Sequence, residues 1–570
     1  MSSFQYSQPP KFLLTLSIIL SINLIYAQGI DTKAKLQGEY QIKINKTSEK
    51  INIDGRLDES VWKQADMVKN FWMSFPVDDR RVEKGLQTEV QMAYDDQNIY
   101  IAATCYQPND FIITTLKRDN GVFWRGDVFG VLIDPVNNST NGFGFSTNPA
   151  GVQYESLISG RTGTRAEGGG GSSAFNTAWD NKWYVETQQG TDRWTLEMAI
   201  PFKSLRYEPD QTTWGINFIR GEPRSNAWHT WSPVPVQFLT FDLGYTGALV
   251  WDNPPTKLKS NISLIPYSLG SIDKDFEENT ATDYDGRIGV DAKIAISPTL
   301  NLDITVNPDF SQVDVDEQVT NLSTFNIRFP ERRLFFLENS DIFANFGIPP
   351  MRPFFSRRIG LDEDGGTIPI AYGLRLSGNL NNDLRVGVMN LQTREQADFA
   401  SQNYTTVALH RRVLERSVIK GYFNNRQGMI DGEFSNEDYN RTAGLAFQYF
   451  SQDAKWQGFG GYGQSFSDNF SGKNFFYNIG GGYDGRSWSV YTNLSGIGDN
   501  YYTDIGWVPS ADHYDAERDT TIHVGFQHTF TRVSYTIYPE SGSSIQTHRL
   551  SVRHIMDLDN GLDLISNRVL

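Results

Sequence analysis

The side chains that could do chemistry in this sequence are acidic, aromatic and glycine-rich, and few of them fall into a catalytic spacing. Gly458, Gly460 and Gly463 form a Gly-x-Gly-x-x-Gly run, the spacing that lets a backbone cradle a pyrophosphate at a helix N-terminus. Here the run lies within an alternating aromatic segment, with no helix after it. It reads instead as small residues on a crowded strand face. The seven histidines (His229, His410, His513, His523, His528, His548 and His554) never take a zinc-ligand spacing, and no GxSxG elbow accompanies them. Carboxylate pairs abound, but their separation in space decides glycosidase chemistry. No nucleophile–base pair emerges, so an enzyme is the second reading and not the first. Asp54, Asp58 and Glu59 could offer oxygens to Ca²⁺, which takes six to eight. Their spacing fits no EF-hand, and acidic turn residues are commonly just solvated.

Composition narrows the class. Lys and Arg total 51 against 67 Asp and Glu, a net charge of −16, which speaks against a nucleic-acid partner. A single cysteine, Cys105, excludes an internal disulfide framework and any multi-cysteine metal site. Fifty glycines and 13% aromatic residues suit an all-β chain with many turns. No apolar run reaches the length of a membrane helix, whereas barrel strands hide half their apolar signal by alternation.

The elements follow from that alternation. Lys11, the apolar run from Phe12 to Leu20 and the exit at Ala27-Gln28 describe a secretory signal peptide over residues 1–27. Residues 42–253 hold regularly spaced short strands: Val90, Met92 and Tyr94 lead into a turn, Ile99 and Ile101 return, and Val128–Ile133 and Trp194–Ile200 follow. Such spacing predicts a β-sandwich. Thr162–Ser173, with four successive glycines, reads as a mobile surface loop. From Ile262 onward the strands lengthen. Ile288, Val290, Ala292, Ile294 and Ile296 alternate with Arg287, Gly289, Asp291, Lys293 and Ala295. That pattern recurs to the end, and at ~10 residues per spanning strand it predicts roughly 14 strands of an antiparallel transmembrane barrel.

One stretch breaks the pattern. Asn301–Val306 alternates as a strand, an acidic run follows, and then comes Phe329-Pro330-Glu331-Arg332-Arg333-Leu334-Phe335-Phe336-Leu337-Glu338. Charges and rings this dense suit neither a dry core nor an exposed loop. We expect 301–343 to fold inward as a plug, with Glu331, Arg332, Arg333 and Glu338 paired with each other or with lumen residues such as Arg287, Asp291 and Lys293. Phe335 and Phe336 should cover them.

NPDFSQVDVD followed by RFPERRLFFLENSDIF resembles the signature of the DUF5916 proteins, a bacterial family of uncharacterised function. The resemblance implies a carbohydrate-binding family 9-like domain over 42–253 and an outer-membrane barrel domain over 254–570. It also adds weight to a structural Ca²⁺ near Asp54 and Asp58, with no other cofactor required. In sugar-binding family 9 modules a Trp walls an aromatic slot, and Trp124, opening Trp124-Arg125-Gly126-Asp127, resembles it. An indole face suits the C–H-bearing face of a pyranose. Asn148, after Phe145, resembles the sugar-contacting Asn; Asp127 is a further polar partner, and Phe238 is the nearest aromatic to the missing second wall. Gly130 and Ser146 stand where the family has Glu and Arg.

The expectation is therefore a secreted, all-β outer-membrane protein whose partners are carbohydrate and membrane lipid, serving glycan uptake or surface carbohydrate catabolism. A hydrolase of O-glycosyl bonds and a structural envelope protein that has lost sugar binding are the rival readings. The chain ends at Arg568-Val569-Leu570 with no terminal aromatic. A last strand left open to lipid is costly, so we expect either further chain or another cover for that edge.

Overall fold

The structure, a computed structural model, describes residues 32–570 apart from 160–174, 257–261, 275–280, 309–330, 362–367, 540–544 and a number of shorter breaks. The leader, the glycine-rich loop and Arg332 lie outside the described residues.

Two sheets face each other in the first half. One is built from Tyr184–Gln189, Arg193–Pro201, Asn98–Tyr106 and Thr88–Tyr94. The other runs from Gly247–Trp251 through Thr213–Glu222, Val128–Asp134 and Asn141–Thr147 to Gln153–Ser159. Gln41–Lys46 stitches them together: Gln41–Ile44 pair in parallel with Gly247–Trp251, and Asn45 and Lys46 with Ala93 and Tyr94. Inward residues of both sheets form one core, with Ile44, Val90, Ile101, Trp194 and Met198 meeting Val131, Phe145, Trp214 and Phe218. Val128–Asp134 is buried along its whole length, which is why it reads as a continuous apolar run and not as an alternation. After the Asp54-Gly55 turn, Ser60–Gln64 forms a short helix and buries Trp62. Gly55 is required there: its φ is +80°, and a Cβ would stand 2.7 Å from the Thr187 carbonyl carbon.

The second half is a single fourteen-stranded antiparallel sheet among the described residues, from Ile262–Asp273 to Leu564–Val569. Neighbours in sequence are neighbours in the sheet, apart from the separate hairpin Asp512–Asp515 with Thr520–His523. The sheet curls round residues 331–361. Phe336, Ile342, Phe343, Phe346 and Phe354 share one core with Met389, Tyr404, Tyr422, Phe476 and Ile497, which come from strands far apart in the sheet order. Burial is reversed relative to a water-soluble sheet. Ile288, Leu374, Leu445, Ile479 and Val552 are exposed, whereas Asp303, Arg375, Lys420, Asn424, Asn440 and Asn493 are buried. Trp456 against Tyr483 and Trp488 against Tyr535 mark one rim, as an interfacial girdle would. Each edge strand has one sheet neighbour among the described residues. Gly463 faces the crowded interior, where a Cβ would meet Phe476 and Tyr422, whereas at Gly458 and Gly460, on the other face, a Cβ would meet nothing closer than 3.8 Å.

The connections differ at the two ends. Those at 298–299, 380–383, 414–416, 451–455 and 485–487 are short, whereas the opposite end carries 307–369 and 498–525. The sandwich sits at the short-turn end: Arg486, in the 485–487 turn, pairs with Asp78 at 2.7 Å. No helix among the described residues is long and apolar enough to cross a membrane, which says nothing of strands.

Candidate functional sites: an aromatic edge on the sandwich and the mouth of the barrel

Trp124 lies in a 3₁₀ turn, Phe123–Arg125, at the edge of the fully buried strand that follows. It is half-buried, ringed by Tyr154 at 4.9 Å, Phe241 at 4.9 Å, Phe123 at 5.2 Å and Trp228 at 5.8 Å between centroids. Trp228, on Ala227–Thr230, is half-buried too. Trp228, which the sequence analysis did not single out, is thus a second half-buried tryptophan at this edge. The signal was present in the short run Trp228-His229-Thr230-Trp231: of its two tryptophans Trp231 is taken into the core, which leaves Trp228 at the rim.

The other three expected site residues are not drawn to this edge as contact groups. Asp127 is fully buried, its Oδ2 accepting from the Ile112 N–H at 2.8 Å and Gln107 Nε2 at 3.2 Å. Burial pushes its carboxyl up, and those two donors and Arg220 pull it back. Asn148 is buried and holds its own turn, Oδ1 accepting from the Ala150 and Val152 N–H groups while Nδ2 donates to the Thr115 carbonyl. Phe238 is buried in a small cluster with Leu36, Val234 and Tyr245; the ring beside Trp124 is Phe241, three residues on. All three are buried, and Asp127 Oδ2 and both polar atoms of the Asn148 amide are bonded within the protein, so the structure places them in the scaffold behind the edge.

Asp54 and Asp58 do not converge. The Asp54 carboxylate accepts from the Arg56 N–H at 2.9 Å and Asn52 Nδ2 at 3.1 Å, closing its own turn, and Asp58 is exposed. No group of three His, Cys, Asp or Glu among the described residues is placed to hold a metal. The acidic group of interest nearby is Glu197, fully buried, which accepts from the N–H groups of Asp54 and Gly55 and from Trp62 Nε1. Burial, with the Glu59 carboxylate adding to it, pushes Glu197 up to about 7 against those three donors.

At the barrel mouth, register sets the electrostatics. Lys293, Asp303 and Arg375 stand directly opposite one another on three adjacent strands. Asp303 lies 2.8 Å from Arg375 and 3.7 Å from Lys293. Glu338 from the inner segment joins Lys293 and receives Asn301 Nδ2 at 2.6 Å, while Arg206 of the sandwich approaches it at 3.6 Å. Deeper in, Arg333 bonds Glu331 through Nε and Nη2 at 2.8 and 2.7 Å and reaches the carbonyls of Ile359 and Ser356, each at 2.7 Å. Phe336 lies 4.3 Å beneath its guanidinium, and Phe335 lies 5.3 Å from that of Arg375. The pairs expected for Glu331, Arg333 and Glu338 are thus present, with Lys293 as the lumen partner.

The chain is, in class, a family 9-like β-sandwich joined to a large antiparallel β-barrel. Residues 254–417 match the family described as a domain of unknown function, DUF5916, and residues 53–231 match the one described as carbohydrate family 9 binding domain-like. The two matches bear out the resemblance to DUF5916 proteins that carry a family 9-like domain ahead of the barrel. No curated protein matches it. Among solved structures it is similar to a family 9 carbohydrate binding module from Caldicellulosiruptor kristjanssonii in complex with cellotriose, at 15% identity, with 38% of this chain and 94% of that one covered and a TM-score of 0.26. It is also similar to a putative carbohydrate-binding protein from Bacteroides uniformis, at 12% identity, covering 37% and 99%, with a TM-score of 0.29. A third is Pseudomonas aeruginosa OccK11 (OpdR), at 9% identity, covering 78% and 91%, with a TM-score of 0.26.

Proposed function

We propose that this is an outer-membrane protein whose sandwich binds carbohydrate on the periplasmic side and offers it to the barrel, in the service of glycan uptake or surface carbohydrate breakdown. The observation that carries the membrane reading is the reversed burial of the fourteen strands, with apolar side chains outside and charges within. A soluble sheet would gain nothing by it, whereas in a bilayer a lipid-facing Lys or Arg costs roughly 2–4 kcal/mol at the midplane. Bacterial barrels keep short turns in the periplasm and long loops outside. The sandwich, packed at the short-turn end, is accordingly periplasmic.

Sugar binding is supported by the family 9-like match and by the Trp124–Trp228 edge. Rings 5.8 Å apart and tilted by 45° touch each other, so a pyranose stacks on their open faces or swings Trp228 aside. The test is isothermal titration of the full chain in a non-sugar detergent with glucose and cellotriose, beside fractionation of the producing cells. Binding, and recovery with the outer membrane, are expected. Recovery as a soluble protein without detergent overturns the membrane reading, and no heat with either sugar overturns the binding one for these ligands.

A further inference from the structure

A cavity of about 400 Å³ lies where the sandwich meets the barrel mouth, a size within the range of about 300–1,000 Å³ typical of small-molecule sites. It is separate from the Trp124 edge, and the sandwich, the lumen wall and the inner segment all contribute to it. We propose that it is a second binding site, for a short neutral saccharide.

The lining argues for that chemical class. The charges at the mouth are spent on one another: Glu338 on Lys293 and Arg206, and Asp303 on Arg375 and Lys293. A phosphate or carboxylate ligand would have to break one of these pairs, whereas a neutral one need not. Six asparagines line the space, Asn138, Asn141, Asn181, Asn301, Asn339 and Asn379. Asn301 and Asn379 are 2% and 8% exposed, and the Oδ1 of each has no hydrogen-bond partner among the described residues. The Nε of Arg206 faces Glu338 at 3.6 Å and makes no hydrogen bond. Unmatched amide oxygens suit hydroxyl groups, which donate to them and can accept as well. An aromatic wall completes the set: Trp179 is half-buried, packed against Phe143 at 5.3 Å in a tilted contact and Phe145 at 5.9 Å edge-on, and Phe335 stands on the inner segment. Amides around an indole can match the rim and the face of a sugar ring. A saccharide held here touches the sandwich and the inner segment at once, one step from the lumen.

The inference goes beyond the Trp124 reading and fails independently of it. The test uses the full chain in a non-sugar detergent, titrated calorimetrically with glucose, maltose and cellobiose. Four proteins are compared: wild type, Trp124→Ala, and Trp124→Ala combined with either Asn379→Leu or Trp179→Ala. The Asn379 side chain holds no other group, and Trp179 lies outside the barrel, so the two changes threaten folding differently; a wild-type gel shift on boiling certifies each protein. Trp124→Ala should retain binding of at least one probe, and each second change should weaken that binding tenfold or more. No binding by the Trp124→Ala protein, or residual binding indifferent to both second changes, overturns the cavity site. Loss on Asn379→Leu or Trp179→Ala with no effect of Trp124→Ala leaves the cavity standing and removes the edge.

Discussion

Arg333→Ala isolates the energetics of the inner segment. Arg333 is 6% exposed and donates to both oxygens of Glu331 and to the carbonyls of Ile359 and Ser356. Truncation removes the guanidinium from the Glu331 carboxylate, which keeps the Ser356 hydroxyl at 2.7 Å and the residue-333 N–H at 3.0 Å among its partners. Stranding one member of a buried pair costs roughly 3–5 kcal/mol, and each orphaned carbonyl about 1–3 kcal/mol if kept dry. Lumen water relieves part of the second cost, so a loss of about 4 kcal/mol is expected, close to three decades in the folding constant. Neutralising both partners, in Glu331→Gln with Arg333→Met, removes the stranded charge and should recover about half. The assay is urea titration of the chain refolded into lipid vesicles, with the folded fraction read as the fast band on an unboiled gel. A loss below about 1 kcal/mol for Arg333→Ala, or a double variant no better than the single, refutes the buried-pair reasoning.

Three further outcomes are expected. Trp124→Ala should weaken sugar binding at the sandwich edge by about 0.5–1.5 kcal/mol, read by titration; unchanged affinity places the ligand elsewhere. Glu197 carries a carboxyl raised from 4.5 to about 7 by burial and by Glu59, so the native state holds its proton more tightly than the unfolded chain. Its contribution is therefore most favourable below about 4.5 and is lost as pH rises through 7. The sandwich should melt higher at pH 5.5 than at pH 8 by tryptophan fluorescence, Glu197→Gln should flatten that slope, and a slope of opposite sign rejects the assignment. Gly387 faces the inner segment, and a Cβ there would stand 2.6 Å from the Phe343 ring and 2.9 Å from Ile342. Gly387→Val should displace 342–343 and raise the conductance of the protein in planar bilayers; unchanged conductance means that this contact does not obstruct the lumen.

The sequence alone carried whatever depends on period and composition. Alternation such as Ile288 to Ile296 against Arg287 to Ala295 determined which residues face out, because a strand sends successive side chains to opposite faces. The same arithmetic gave the strand number, and the density of Glu331, Arg333, Phe335 and Phe336 was enough to demand an interior. Long-range register was not legible. Nothing local places Asp303 between Lys293 and Arg375, or brings Arg206 from the sandwich to Glu338. The binding residues failed for a related reason. Asn148 stands at family-like spacing and Asp127 has a suitable type beside Trp124, but whether an amide or carboxylate faces solvent or closes its own turn depends on which backbone N–H groups folding brings to it. The Ile112 and Val152 N–H groups take those positions here. Trp228 reaches Trp124 only because its strand pairs with Thr213–Glu222, which itself lies beside Val128–Asp134. That adjacency joins residues about a hundred positions apart, and tertiary structure alone decides it.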